Sequence, residues 1–166
     1  MPNVPIKMEE VAGFVEKAGK VQRVVEMECP YIPGFMVKVA YLSKFLLNQI
    51  SEVAKERFKN PRTGSREDRF NEEKLRDAYS VYIVLDWRGL TFKGLRKLLP
   101  SLEFKNEQGD DITVDENAAV PYDRKLVVAL LNSSLEFENW VVNVANDLEN
   151  FSMLAESKKA EYENLR

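Results

Sequence analysis

The sequence predicts a mainly α domain with α+β character: about five helices and a β-hairpin near the N-terminus. Three observations predict it. Apolar residues recur at helical spacing in five segments after residue 42. Two strand-like runs flank a single Pro/Gly cluster. Turn-forming residues stand where each pattern stops.

Residues 4–18 form a weak amphipathic stretch, expected as a short helix or a mobile arm. Val21–Cys29 and Phe35–Leu42 are rich in Val, Met, Tyr and Phe, and they partly alternate: Val37, Val39 and Tyr41 against Met36, Lys38 and Ala40. The turn cluster Pro30-Tyr31-Ile32-Pro33-Gly34 between them makes a β-hairpin over residues 21–42. A lone hairpin is marginal in water, so it must pack on helices or join a sheet with another chain.

Ser43 is a good N-cap. Leu42, Phe45, Leu46, Ile50, Val53, Ala54 and Phe58 then keep helical spacing, which predicts a helix of about 15 residues. Asn60-Pro61-Arg62-Thr63-Gly64-Ser65 breaks it. Asn71 caps a helix expected to run to Trp87. Leu75, Ala78, Tyr79 and Tyr82 mark one face, and Val81, Ile83, Val84 and Leu85 fill the others, so this helix reads as buried nearly all round. Gly89 ends it in the manner of a C′ glycine.

Thr91 caps a short helix, Phe92 to Leu99, stopped by Pro100. Residues 101–120 read as a long acidic loop, with room for a small hairpin from Leu102–Phe104 and Ile112–Val114. Tyr122 to Leu131 reads as a helix with Asp123 near its positive end. Ser134 opens the last long helix, one side of which carries Phe137, Trp140, Val141, Val144, Leu148 and Phe151. From Ser152 the chain stays helix-compatible but becomes highly charged and is expected to project or fray. The expected organisation is an arm or short helix at 1–20, a single helical domain at 21–151 and a charged helical tail at 152–166.

With 45% hydrophobic and 31% charged residues, the 166-residue chain matches an ordinary globular domain and argues against wholesale disorder. It holds no apolar run long enough to span a bilayer, and its first twenty residues, with Glu9, Glu10 and Glu16, do not read as a secretory signal. The single cysteine, Cys29, has no internal disulfide partner and reads as a small core or hairpin residue in a reducing compartment. The absence of histidine excludes Ser-His-Asp and Cys-His catalysis. Gly-rich phosphate loops, CxxC pairs and HExxH are also absent. The reading is of a non-enzyme without metal or cofactor. Charge is divided: residues 1–100 hold eighteen Lys/Arg against thirteen Asp/Glu, and residues 101–166 hold six against fourteen. Such a dipolar chain can stack with its own copies, making a homo-oligomer a candidate state.

The candidate partner-binding residues are Phe137, Trp140, Val144, Leu148 and Phe151, with Arg62 and Arg66. Aromatics at helical spacing are most often core, but part of this stripe is also suited to wall a groove for a partner helix. Arg57, Lys59, Arg62, Arg66 and Arg69 surround the Pro/Gly turn as a basic loop, exposed or mobile, that can meet an acidic partner. Glu67 and Asp68 interrupt it, the sequence pI is about 5.3 and no aromatic interleaving is evident, so nucleic acid is disfavoured. Asp86-Trp87-Arg88-Gly89 reads either as a charged binding notch or, more simply, as a packed Trp87 beside an Arg88 at a helix C-terminus. Asp110, Asp111, Asp115 and Glu116 do not follow the spacing of a calcium loop.

Several segments in order carry a resemblance: Tyr31-Ile32-Pro33-Gly34-Phe35 with Val37-Lys38-Val39-Ala40-Tyr41-Leu42; Asp86-Trp87-Arg88-Gly89-Leu90-Thr91; Leu98-Leu99-Pro100; and Ser133-Ser134-Leu135-Glu136-Phe137-Glu138-Asn139-Trp140 running on to Asp147-Leu148-Glu149-Asn150-Phe151. Over roughly residues 30–151 the chain resembles the tail assembly chaperones of long-tailed bacteriophages, small proteins encoded near the tape measure protein. The resemblance implies a non-catalytic role in the host cytoplasm: binding the tape measure protein, keeping it soluble and helping recruit the tail tube protein. It implies no catalytic residues, and the lack of a long apolar run adds the expectation of no membrane partner. A programmed frameshift extends part of the product in many members, and Lys158-Lys159 is compatible with an A-rich slippery run. The competing readings are a structural virion component, such as a tail-completion or baseplate protein, and a nucleic-acid-binding regulator using the loop at 57–69.

Overall fold

The computed structural model describes residues 5–152, in which six helices and five strands follow the order α1 (Met8–Lys20), β1 (Val24–Glu28), β2 (Met36–Ala40), α2 (Lys44–Ala54), β3 (Lys55–Lys59), β4 (Arg66–Phe70), α3 (Glu72–Tyr82), β5 (Val84–Arg88), α4 (Phe92–Leu98), α5 (Arg124–Ser133) and α6 (Leu135–Asn146). A last helical stretch begins at residue 148. The charged tail anticipated from Ser152 lies almost wholly outside the described residues. The mainly α expectation is corrected: the fold is α+β, with one three-stranded sheet in the order β1-β2-β5 and a separate two-stranded sheet, β3-β4.

The hairpin forms as its turn cluster dictates, with Val25 opposite Val39 and Met27 opposite Val37. Its stability comes from a third strand that the sequence pattern assigned to a helix. Residues 81–85 are a continuous apolar run whose period cannot separate strand from helix. The chain leaves α3 at Tyr82, and β5 adds to the free edge of β2, pairing Val37 with Trp87 and Lys38 with Asp86. The register shifts between Lys38 and Val39, so Leu85 is the extra residue of a β-bulge. Val84 and Trp87 are buried while Asp86 and Arg88 are exposed. Across the outer face, Arg88 reaches Glu26 at 2.6 Å. Gly89 therefore closes a strand and caps no helix; its φ of 76° is the left-handed conformation that only glycine adopts freely.

Two further boundaries differ from expectation. The helix capped by Ser43 ends at Ala54, before the expected Phe58, and the supposed basic loop is the antiparallel ribbon β3-β4, turning through Asn60–Ser65. Phe58 kept helical phase by coincidence; strand pairing between Lys55 and Phe70 overrides that weak signal. The last helix breaks at Asp147, whose extended backbone (ψ 104°) and carboxylate, accepting from the Glu149 N–H at 2.9 Å, restart the chain in a new direction.

The core lies between the inner face of the large sheet and the helices α2, α3, α5 and α6. Phe35, from the hairpin turn, stacks on Phe137 with ring centres 6.3 Å apart and meets the edge of Trp87 at 5.8 Å. Short polar residues stop and start the helices: Ser43, Asn71, Thr91, Asp123 and Ser134 each accept a hydrogen bond from the first turn that follows. Tyr122 donates to the Val84 carbonyl at 2.8 Å, and Arg124 bonds Ser80 and Asp77. These contacts clamp the α3–β5 junction to the start of α5.

Candidate partner-binding surface

The helix α1 carries an apolar face that nothing among the described residues covers. Glu9 and Glu10 in its first turn and Lys17 and Lys20 in its last complement the helix dipole. Met8, Val11, Ala12, Phe14, Val15 and Ala18 fall on one side of the helical wheel, opposite Glu9, Glu16, Lys17 and Lys20. An apolar stripe of this width normally faces a core, yet no residue of α1 is buried. Met8 is 78% exposed, Phe14 62% and Val15 66%, and Ile6 and Val21 carry the exposed apolar surface past both helix ends. The helix leans on α2, where the Lys20 ammonium lies 5.9 Å from the centre of the Phe45 ring. Between them runs a small open groove of about 180 Å3, lined by Val21, Tyr41, Phe45, Gln49 and Tyr82 among others.

A larger open groove of about 810 Å3 lies elsewhere, between the hairpin turn and the α4 and α5 C-termini, walled by Tyr31, Leu99, Pro100, Leu102 and Ser133, with Lys97 and Glu136 at its edges. Its ionisable lining is Tyr31, Lys97 and Glu136. The ionisable groups with displaced pKa values are scattered, and each has a local structural cause. Burial raises the hydroxyls of Tyr79 and Tyr122, and burial raises the thiol of Cys29. The Lys55 ammonium, hydrogen-bonded to Glu52, lowers that carboxyl; Lys74 does the same to Glu56. Among the described residues, no three His, Cys, Asp or Glu side chains stand close enough to hold a metal ion.

The residues singled out in the sequence divide into three groups. Phe137, Val144 and Phe151 are core: Phe137 has no exposed surface, and Phe151 turns in against Tyr41 at 5.1 Å because the chain breaks at Asp147. Trp140 is half-buried beside Phe137, and Leu148 faces outward. The stripe is thus not one exposed wall. Arg62 and Arg66 sit on the turn and second strand of the β3-β4 ribbon, both exposed. Trp87 is anchored in the core by its indole N–H, which donates to the Val120 carbonyl at 3.0 Å. The apolar face of α1 was visible as periodicity in residues 4–18; only its exposure was hidden.

A family model described as YdaY prophage protein matches residues 43–163, close to three quarters of the chain. The chain belongs to the YdaY prophage protein family. The match starts at the Ser43 cap of α2 and includes the ribbon and every later element of this prophage protein, while α1 and the hairpin precede it. No curated protein matches the chain, and no solved structure does. No helix among the described residues is long and apolar enough to cross a membrane.

Proposed function

We propose that this prophage protein is a non-catalytic tail assembly chaperone that binds an apolar helix of the tape measure protein in the host cytoplasm and helps bring tail tube protein to it. The observation that carries the reading is the uncovered apolar face of α1. Surface of that kind marks a protein–protein site, and helix-on-helix burial is the simplest way to cover it. Each large side chain buried there contributes about 1.5–3 kcal/mol before the costs of association. The tape measure protein is taken as the partner from the resemblance of the ordered motifs between Tyr31 and Phe151 to tail assembly chaperones, and the phage origin of the family supports that choice. The binding face moves from the Phe137–Phe151 stripe to α1, because most of that stripe is already occupied by the protein's own core.

Co-expression with the tape measure protein of the same prophage tests the reading. The tape measure should become soluble and co-purify. Mass spectrometry of purified particles should find this chain absent. A tape measure that stays insoluble, with the chain present in finished particles, would replace the chaperone with a structural virion component.

A further inference from the structure

The β3-β4 ribbon sorts a mixed run of charges onto two faces. Successive side chains of a strand point to opposite sides, and residues directly opposite each other share a side. Lys55, Arg57 and Lys59 therefore share one face with Phe70, Asp68 and Arg66, their respective partners. Glu56 and Phe58 occupy the other face with Arg69 and Glu67. The second face is internally satisfied. The Arg69 guanidinium lies 3.8 Å from the Phe58 ring centre, Glu67 accepts from Asn60 and Ser65, and Glu56 pairs with Lys74 at 2.8 Å. The first face is not. Lys55 is taken by Glu52, but among the described residues Arg57, Lys59, Arg62 and Arg66 form no ion pair. Lys59 and Arg66 stand directly opposite each other, a like-charge pair that destabilises the ribbon. On the same face Phe70 is 62% exposed.

We infer that this face of the ribbon binds the phosphodiester backbone of a nucleic acid, a function beyond the chaperone reading. A two-stranded ribbon fits a duplex groove. Its cations repeat every second residue, about 7 Å apart. Phe70 offers a surface on which an unpaired base stacks. Glu67, which interrupts the basic run in sequence, faces away; Asp68, opposite Arg57, and Glu52, paired with Lys55, oppose the field. The ribbon strands pack principally on each other, which leaves the cationic face open to a long polyanion.

The test is fluorescence anisotropy of the full chain with labelled single-stranded DNA, duplex DNA of the same sequence and single-stranded RNA, titrated in low and moderate salt. Three phosphate contacts on duplex give a log–log salt slope of about −2.7, or roughly 40-fold weaker binding at 200 than at 50 mM salt. The triple variant Arg57→Gln/Lys59→Gln/Arg66→Gln should lose at least about tenfold in affinity and flatten that slope. Lys125→Gln, on α5, should change neither. Phe70→Ala should weaken the single-stranded arms more than the duplex arm. Circular dichroism checks that each variant is folded. The inference is overturned by no binding to any arm in low salt, by a triple variant with unchanged affinity and slope, or by poly-glutamate binding more tightly than nucleic acid, which would assign the ribbon to an acidic protein.

Discussion

Gly89 and Gly34 meet backbone to backbone: a Cβ added at Gly89 would overlap the Gly34 carbonyl oxygen, whereas one added at Gly34 would meet nothing within 4 Å. Both have positive φ, 76° and 81°. The contact seats the end of β5 against the hairpin turn that carries Phe35. Gly89→Ala suffers both the left-handed backbone penalty and the overlap and should cost about 3 kcal/mol or more. Gly34→Ala carries only the backbone penalty, about 1–2 kcal/mol. Urea unfolding of the two variants checks the order.

Trp87→Phe keeps most of the aromatic packing on Phe35 and Tyr122 but removes the N–H that satisfies the Val120 carbonyl. The loss should be about 1–2 kcal/mol, seen as a Tm lower by about 2–4 °C per kcal/mol. An unchanged Tm would mean that this hydrogen bond does not hold the segment before α5 to the sheet.

Phe137→Ala and Phe14→Ala should behave oppositely. The first empties the centre of the core and should cost about 3–5 kcal/mol. The second removes an exposed ring and should stay within about 0.5 kcal/mol. Thermal melts of both variants separate core from docking face without any partner present.

Cys29 is 1% exposed. Burial pushes its thiol above the ordinary range, and the hydrogen bonds from the Tyr31 and Ile32 backbone offset this only in part. A raised pKa means less thiolate at a given pH, so a disulfide reagent at mildly alkaline pH should react at least about tenfold more slowly with the native than with the urea-unfolded chain. Equal rates would show that the hairpin turn opens readily.

What the sequence disclosed follows the range of the forces involved. Four helix caps, Ser43, Asn71, Thr91 and Ser134, and the hairpin turn were legible because a short polar side chain, or a Pro/Gly cluster, acts within a few residues of itself, whereas Asp123 was read only as a charge favourable to the helix dipole. β5 was not, because residues 81–85 satisfy either period and the deciding contact is with β2, more than forty residues earlier. The β3-β4 ribbon was missed for a different reason: its pairing is local, across the Pro61–Gly64 turn, but its strands are charge-rich with few apolar residues and Phe58 mimicked a helical position. For the candidate surface, sequence identified apolar stripes at both ends of the chain but not which one the fold covers. The hairpin's Phe35 and Tyr41 cover Phe137 and Phe151; nothing among the described residues covers Phe14 and Val15.

The most direct test of the central claim is a pull-down of co-expressed tape measure protein by the native chain and by Phe14→Asp/Val15→Asp. Neither position is buried, so the variant should fold with an unchanged melt. If the apolar face of α1 is the docking surface, the folded variant should retain at most about one-tenth of the tape measure protein, since two charges then face an apolar helix. Full retention by the variant would contradict the claim and place the docking surface elsewhere on the molecule.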